Sequence, residues 1–154
     1  MLKIIVLLFG LTTFVVAVPT SANSAEVPEG VWFVEPDSAL QIFDCSGWLC
    51  GRVVWLRNIH DSTGQIQRDK KNPDSALRLR QVCGLTVLRG LQAKGPGTWE
   101  GGSFYNPDDG ETYSVNAELR SSDMIATRIY KVLPVFGKTV TLLRISRLNS
   151  EGWC

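Results

Sequence analysis

Histidine, net charge and long apolar runs are scarce in this chain. Its 154 residues include a single histidine, His60, and its 16 Lys and Arg are offset by 15 Asp and Glu. One histidine leaves little room for a histidine-based metal site or a catalytic triad. A near-neutral charge lacks the basic surface that is typical of nucleic-acid-binding proteins. With no catalytic constellation visible, we expect a protein that is not an enzyme, holds no cofactor or metal and binds no nucleic acid.

The one long apolar run covers residues 4–18, between Lys3 and Pro19. It is shorter than the ~20 residues that a membrane-spanning helix needs. A positive start, a short apolar segment and small polar residues after it are typical of a secretory signal peptide, and a retained membrane anchor is the alternative. We expect residues 1–25 to be the signal peptide and residues 26–154 to form one exported domain without a transmembrane segment. No cysteine lies near the cleavage region to accept a lipid, so a periplasmic or secreted protein is expected.

Export changes the meaning of the cysteines, because disulfides are the default in an oxidising compartment. The chain has four of them, at Cys45, Cys50, Cys83 and Cys154. The short segment between the first two resembles a tight hairpin whose ends lie side by side, which favours a Cys45–Cys50 bond. A Cys83–Cys154 bond then follows by elimination. Zinc is the alternative, but a C-x4-C spacing followed by two scattered cysteines lacks the paired ligands of zinc sites.

The exported part is a succession of short β-prone segments separated by turn signals, of which NPDDG at residues 106–110 is the strongest. Many short strands at this spacing predict a sandwich or a barrel. Asp74 is placed to cap one short inserted helix over residues 75–80. The eight predicted strands cover residues 30–34, 39–44, 51–56, 85–91, 98–105, 112–119, 124–132 and 139–147.

A series of motifs follows in fixed order through nearly all of the exported part. They are CGRVVW at 50–55, DKKNPD at 69–74, LR at 77–78, CGLTVL at 83–88, WEGG at 99–102, YNPDDGETY at 105–113 and PVFGKT at 134–139. In order and spacing they resemble the DUF2147 family of exported bacterial proteins, which has no established reaction. The resemblance implies an all-β fold, an eight-stranded antiparallel lipocalin-like β-barrel in the periplasm that binds a small apolar or amphiphilic ligand.

Lipocalins also carry Gly-x-Trp on the first strand and an arginine on the last, stacked across the closed end of the barrel. Gly30 and Trp32 match the first part, and Arg144 or Arg147 can supply the second. A cation over a tryptophan face contributes ~1–2 kcal/mol when it is partly desolvated, so we expect a structural role for this group. Unlike lipocalins, the chain has its long connection between Leu56 and Leu85, which leaves open whether the interior is open, lidded or filled.

For a ligand site, the segment 124–132 is the most informative. Arg128 shares one parity with Tyr130, and if that set faces the interior, the buried guanidinium needs a carboxylate partner. Glu100, Glu118 or the acidic head group of a ligand are the candidates for that partner. An outward Arg128 fits the periodicity equally well. The proposed ligand-binding set is Arg128 and Tyr130 at the head of the pocket, with Trp55, Tyr113 and Phe104 as lining.

Two weaker candidates have ordinary explanations. His60 lies in a polar loop without a nucleophile nearby, and the acidic residues at 108–111 fail the spacing of calcium loops and suit a tight turn. The expected function is therefore that of an exported barrel with a small ligand. The alternative is an envelope protein-interaction or inhibitor-like module with a filled barrel, which would use the connection between Leu56 and Leu85. An enzyme built from cavity residues ranks below both.

Overall fold

The computed structural model describes residues 28–34, 36–145 and 153–154. The predicted signal peptide at 1–25 and the alternative arginine, Arg147, lie outside the described residues. No helix in the described ranges has the length and apolar character to cross a membrane.

The chain forms eight β-strands that close into an antiparallel barrel, each strand pairing with its neighbours in sequence. The predicted eight-stranded antiparallel barrel is thereby confirmed, with strand ends that differ from prediction by a few residues. The strands are β1 (Gly30–Val34), β2 (Ser38–Asp44), β3 (Leu49–Leu56), β4 (Thr86–Gly95), β5 (Thr98–Asn106), β6 (Glu111–Ser121), β7 (Met124–Tyr130) and β8 (Lys138–Arg144).

Closure depends on the pairing of β1 with β8, in which Trp32, Phe33 and Val34 face Arg144, Leu143 and Leu142. The predicted inserted helix is wrong. Residues 75–80 contain a single 3-10 turn, Ser75–Leu77, in which the Asp74 side chain accepts a hydrogen bond from the Ala76 amide. The segment does not extend into a helix because the chain pairs back on itself directly afterwards, through a bridge between Arg68 and Gln81.

The core fills one end of the barrel, which we call the closed end. Strand alternation directs one side chain in two to the interior, and large apolar side chains near the closed end are almost completely buried. The interior residues there are Trp32, Ile42, Leu49, Leu91, Trp99, Ala117 and Ile125. Gly102 belongs to this layer because a Cβ at its position would lie 2.6 Å from Leu91 Cγ. Close packing of this kind leaves no room for a ligand at the closed end.

Both disulfides form as predicted. Cys45–Cys50 closes the hairpin between β2 and β3 over a separation of 5 residues, and Cys83–Cys154 spans 71 residues. The second bond holds the C-terminal segment against β3, where Trp153 forms an antiparallel backbone β-bridge with Trp55.

The connection between β3 and β4, residues 57–85, is anchored to β5 by a buried carboxylate. Asp69 is fully buried and accepts hydrogen bonds from the hydroxyl of Tyr105, from Asn72 Nδ2 at 2.8 Å and from Arg80 Nε at 2.8 Å. Burial raises the pKa of the Asp69 carboxyl, but these hydrogen bonds outweigh it and leave the pKa below its ordinary value. Asp69 is therefore ionised at neutral pH and fixes the connection to the barrel wall.

An open cavity in the barrel interior

The half of the barrel opposite the closed end contains a cavity of about 940 Å³. Its depth is lined by aliphatic side chains of several strands and by the ring of Phe104. The apolar residues that line this deeper part are Val34, Leu40, Val53, Leu56, Val82, Val87, Leu88, Phe104, Val115, Ile129, Val140 and Leu142. Such a wall offers few hydrogen-bonding groups, so the depth of the cavity suits an apolar group.

The mouth of the cavity is polar and carries charges of both signs. Asp37 lines it at the β1–β2 turn, Asp108 at the β5–β6 turn, and Lys131 and Lys138 at the β7–β8 connection. The Lys131 ammonium lies 3.4 Å from Glu111 Oε2. An apolar interior below a charged mouth is the arrangement expected for an amphiphilic ligand with its polar end outward.

Part of the cavity wall comes from the long connection and not from a strand. Asn58, Gln67 and Val82 line the cavity, and Val82 N donates to Gln67 O at 3.1 Å. The connection is joined to β3 where Val53 N donates to Leu85 O at 3.0 Å. The long connection between β3 and β4 thus completes the wall of the cavity at the open end.

The structure places three of the five proposed ligand-binding residues at the cavity: Phe104, Tyr113 and Tyr130. The Tyr113 hydroxyl donates to Asp109 Oδ2 at 2.8 Å, and this bond raises the pKa of the tyrosine. The Lys131 ammonium lies 5.3 Å from the centroid of the Tyr113 ring. The Tyr130 hydroxyl is 3.5 Å from Asn116 Oδ1. Tyr113 is therefore a rim residue, whereas Phe104 lies with the apolar wall. Tyr130 borders the cavity from the outward-facing parity of β7, with its hydroxyl beside Asn116 of the outer groove.

Arg128 does not line the cavity, because the other parity of β7 faces inward. Ile125 and Thr127 are buried, and the Thr127 hydroxyl donates to Val140 O at 2.8 Å. Arg128 points outward beside a shallow groove that Glu100 and Glu118 also border. Its guanidinium donates to Pro134 O at 2.7 Å, Val135 O at 3.0 Å and Thr139 Oγ1 at 3.0 Å. Arg128 therefore stabilises the β7–β8 connection from the outer face of the barrel and does not contact the cavity.

Trp55 also lies outside the cavity, on the outer face of the barrel. A register shift between Ala39 and Leu40 places Val53 opposite Leu40 and Trp55 opposite Ala39, with Val54 as the additional residue on β3. Such a bulge reverses the side-chain alternation beyond it. The Trp55 ring therefore packs against Phe33, with 6.1 Å between ring centroids.

The closed end contains the predicted aromatic–cation pair. The Arg144 guanidinium carbon lies 4.3 Å from the centroid of the Trp32 ring, and the Trp32 indole donates to Pro28 O at 2.8 Å. Arg144 also donates to Glu29 O and Ser122 O, each at 2.8 Å. A Cβ on Gly30 would lie 2.9 Å from Arg144 Nη1, so glycine leaves the guanidinium room at this position.

The weaker candidates are placed on the surface. His60 is exposed in the long connection, where it forms a bridge with Ile66. Asp109 accepts hydrogen bonds from Glu111 N and from Asn106 Nδ2, both at 2.8 Å, within the turn between β5 and β6. Throughout the part of the chain that the structure describes, no group of three or more His, Cys, Asp or Glu side chains is placed to hold a metal ion.

Two features at the open end of the barrel are not predicted by the sequence patterns. One is the buried Asp69, which the sequence presents within a run of alternating charge. The other is the β7–β8 connection, where several large apolar side chains are exposed. The second had a visible signal, since VLPVF at residues 132–136 is an apolar run that contains a proline.

The barrel and its cavity together define a lipocalin-like protein, eight antiparallel strands closed around an interior that opens at one end. The solved structure of protein HP1028 from the human pathogen Helicobacter pylori, described as belonging to the lipocalin family, is similar to this chain with a TM-score of 0.67 and 27% sequence identity. That similarity covers 80% of this chain and 85% of the other.

The chain belongs to the DUF2147 family, described as an uncharacterized protein conserved in bacteria, which matches residues 30–144. No curated protein matches the sequence.

Proposed function

We propose that this protein is a periplasmic, non-catalytic binding protein for a small amphiphile, whose apolar part occupies the barrel interior. The observation that carries this proposal is the open cavity of about 940 Å³ with an apolar wall. Small-molecule sites in proteins have volumes of roughly 300–1,000 Å³ and mostly apolar walls. A barrel filled with its own side chains, which the interaction-module alternative requires, leaves no space of this size.

The mouth favours a ligand with a polar end. Lys138 is a donor at the rim, whereas Asp37 and Asp108 are acceptors. A head group that is only partly buried can exchange hydrogen bonds with these side chains and with water, so leaving bulk solvent costs it little. The deeper wall, in contrast, offers an alkyl chain or ring the apolar burial that contributes roughly 25 cal/mol per Å².

Three further observations support an exported carrier. The two disulfides are typical of an oxidising compartment. The N-terminal 25 residues have the pattern of a signal peptide. The similar structure from Helicobacter pylori is described as a lipocalin.

The proposal is tested by filling the cavity. Val140 lines the cavity, whereas its neighbour Thr141 is exposed on the outer face of β8. We expect V140F to weaken uptake of a dansyl-labelled fatty acid at least about tenfold, because the added ring occupies ligand space. T141F adds the same ring outside the barrel and is the matched control, with an expected change of less than about twofold.

Fluorescence titration of the purified wild-type protein measures this uptake, and native mass spectrometry of protein taken from the periplasm detects a retained small molecule. An absence of probe uptake together with an empty native protein contradicts the proposal. Equal losses in V140F and T141F contradict it as well, since the probe would then bind outside the cavity.

A further inference from the structure

The connection between β7 and β8 exposes a cluster of large apolar side chains. Val132, Leu133, Val135 and Phe136 expose 81%, 52%, 71% and 82% of their surface. Single exposed apolar residues are common on soluble proteins, but four of them within five residues form a contiguous apolar projection. We call residues 131–138 the tip.

The tip has a defined backbone that keeps these side chains outside the barrel. Phe136 N donates to Leu133 O at 3.1 Å and Gly137 N donates to Pro134 O at 3.0 Å. Arg128 adds its two bonds to the carbonyl oxygens of Pro134 and Val135. A Cβ at Gly137 would lie 2.5 Å from Ile129 O, so glycine allows the tip to approach β7 closely. The exposure of the apolar side chains is thus a property of the fold.

The position and charge of the tip indicate what it contacts. Val132 and Phe136 also line the cavity, so the apolar surface is continuous from the tip into the barrel. Lys131, whose ammonium lies 3.4 Å from Glu111 Oε2, and Lys138 stand at either end of the tip, and residues 131–138 contain no acidic side chain. Apolar side chains between two cations fit the boundary between acyl chains and anionic head groups.

We propose that the tip inserts into the surface of an anionic phospholipid bilayer and places the cavity mouth against it. A protein partner is the competing occupant, and the two lysines that flank the apolar side chains, with no acidic residue between them, favour an anionic lipid surface over it. The inference deepens the proposed function and rests on it, since it identifies the membrane as the place where the amphiphile enters or leaves. Membrane contact itself is measurable without any ligand.

The decisive variant is L133S/V135S. Neither side chain lines the cavity, and the hydrogen bonds of the tip that involve these residues use their backbone carbonyl oxygens. We expect this variant to bind vesicles of phosphatidylglycerol and phosphatidylcholine at least about tenfold more weakly than the wild type in a sedimentation assay. L79S is the matched control, because Leu79 is 74% exposed in the long connection, and its vesicle binding should equal that of the wild type.

The charges are tested by K131Q/K138Q. On vesicles that contain phosphatidylglycerol we expect a loss of about fivefold from Lys138 and a smaller one from Lys131, whose ammonium is already paired with Glu111, and no loss on pure phosphatidylcholine. Added salt should reduce wild-type binding in the same direction.

The membrane proposal is overturned if the wild-type protein fails to sediment with anionic vesicles at low salt, in which case the tip is left to a protein partner. It is overturned equally if L133S/V135S binds vesicles as tightly as L79S. Uptake of the dansyl-labelled fatty acid without vesicles separates the two proposals. Normal uptake with no vesicle binding contradicts membrane contact alone, whereas vesicle binding without uptake contradicts the carrier function.

Discussion

The hydroxyl of Tyr105 on β5 donates a hydrogen bond to the buried carboxylate of Asp69, a residue 36 positions earlier in the chain. Asn72 and Arg80 complete the coordination of the carboxylate, and the Arg80 guanidinium lies 5.5 Å from the centroid of the Tyr105 ring. A buried, desolvated carboxylate thus joins β5 to the connection between β3 and β4. Because the same loop supplies part of the cavity wall, this contact links stability to the shape of the site.

We expect D69N to lower the free energy of unfolding by about 2–4 kcal/mol, because Arg80 then loses its ion-pair partner in a buried network. Y105F removes a single hydroxyl and should cost about 1–2 kcal/mol. Urea denaturation measures both. D123N is the control, since Asp123 is exposed and its hydrogen bonds within the described residues use its backbone N and O. A loss in D123N as large as that in D69N would refute the role of the network.

The Asp69 network also predicts the acid limb of stability. The hydrogen bonds keep the pKa of Asp69 in the folded protein below the ordinary carboxyl value of about 3.9. A lowered folded-state pKa contributes stability that is complete above the unfolded-state pKa and is lost as the pH falls through the folded-state value. Wild-type stability should therefore fall below about pH 4, and D69N should show a shallower fall in urea midpoints over the same range. Parallel acid limbs for the two proteins would contradict this assignment.

The two disulfides should differ in their contribution to stability. In the chain-entropy treatment, a bond that closes about 70 residues stabilises by about 4 kcal/mol, and one that closes about six by about 2 kcal/mol. We expect C83S/C154S to lower the urea midpoint more than C45S/C50S does. C83S/C154S also releases Trp153 from Trp55, so a change in tryptophan fluorescence should accompany it and be smaller in C45S/C50S. The reverse order of midpoints would show that the short hairpin bond dominates.

At the closed end, we expect R144A to lower the free energy of unfolding by about 2 kcal/mol, because it removes the cation over Trp32 and two hydrogen bonds to backbone carbonyls. R144K keeps the charge without the planar guanidinium and should recover less than half of this loss. Uptake of the fatty-acid probe should be unchanged in both variants, since Arg144 lies at the end of the barrel opposite the cavity. R120A, an exposed arginine with a surface ion pair, should change neither quantity.

Arg128 gives a prediction about local order in the tip. In R128A the carbonyl oxygens of Pro134 and Val135 lose the guanidinium as a donor, and Pro134 O keeps only its bond from Gly137 N within the described residues, so the 3-10 turn Pro134–Phe136 should open more often. We expect faster amide hydrogen exchange at Phe136 and Gly137, with exchange in β6 unchanged. Wild-type exchange rates at these two amides would mean that Arg128 does not hold the tip.

The barrel was predictable from the sequence because turn signals and alternation act locally. In β6, Val115 and Ala117 are buried as their alternation predicts. In β7 the same rule could not choose a face, since each parity combines apolar with polar side chains. The buried set includes Thr127, whose hydroxyl is satisfied by Val140 O, and this partner belongs to another strand.

The other differences between the expected and the observed positions of these side chains have non-local causes as well. Trp55 left the predicted lining because a bulge opposite Ala39 shifts the alternation by one residue. A bulge depends on pairing with β2, which a pattern within β3 does not record. Asp69 could not be recognised because the hydroxyl that binds it belongs to a strand 36 residues away.

The pairing of β1 with β8 has a consequence for how the protein folds. Trp32 and Arg144 pair although they are more than 100 residues apart in the chain. Contacts of such sequence separation form late in folding, because the entropy of closing the long loop must be lost before the contact contributes any stabilisation. Until then β1 and β8 are edge strands with unpaired backbone N–H and C=O groups, and each can pair with a strand of another molecule. We expect newly synthesised molecules to be most vulnerable to self-association during this interval, before β1 pairs with β8.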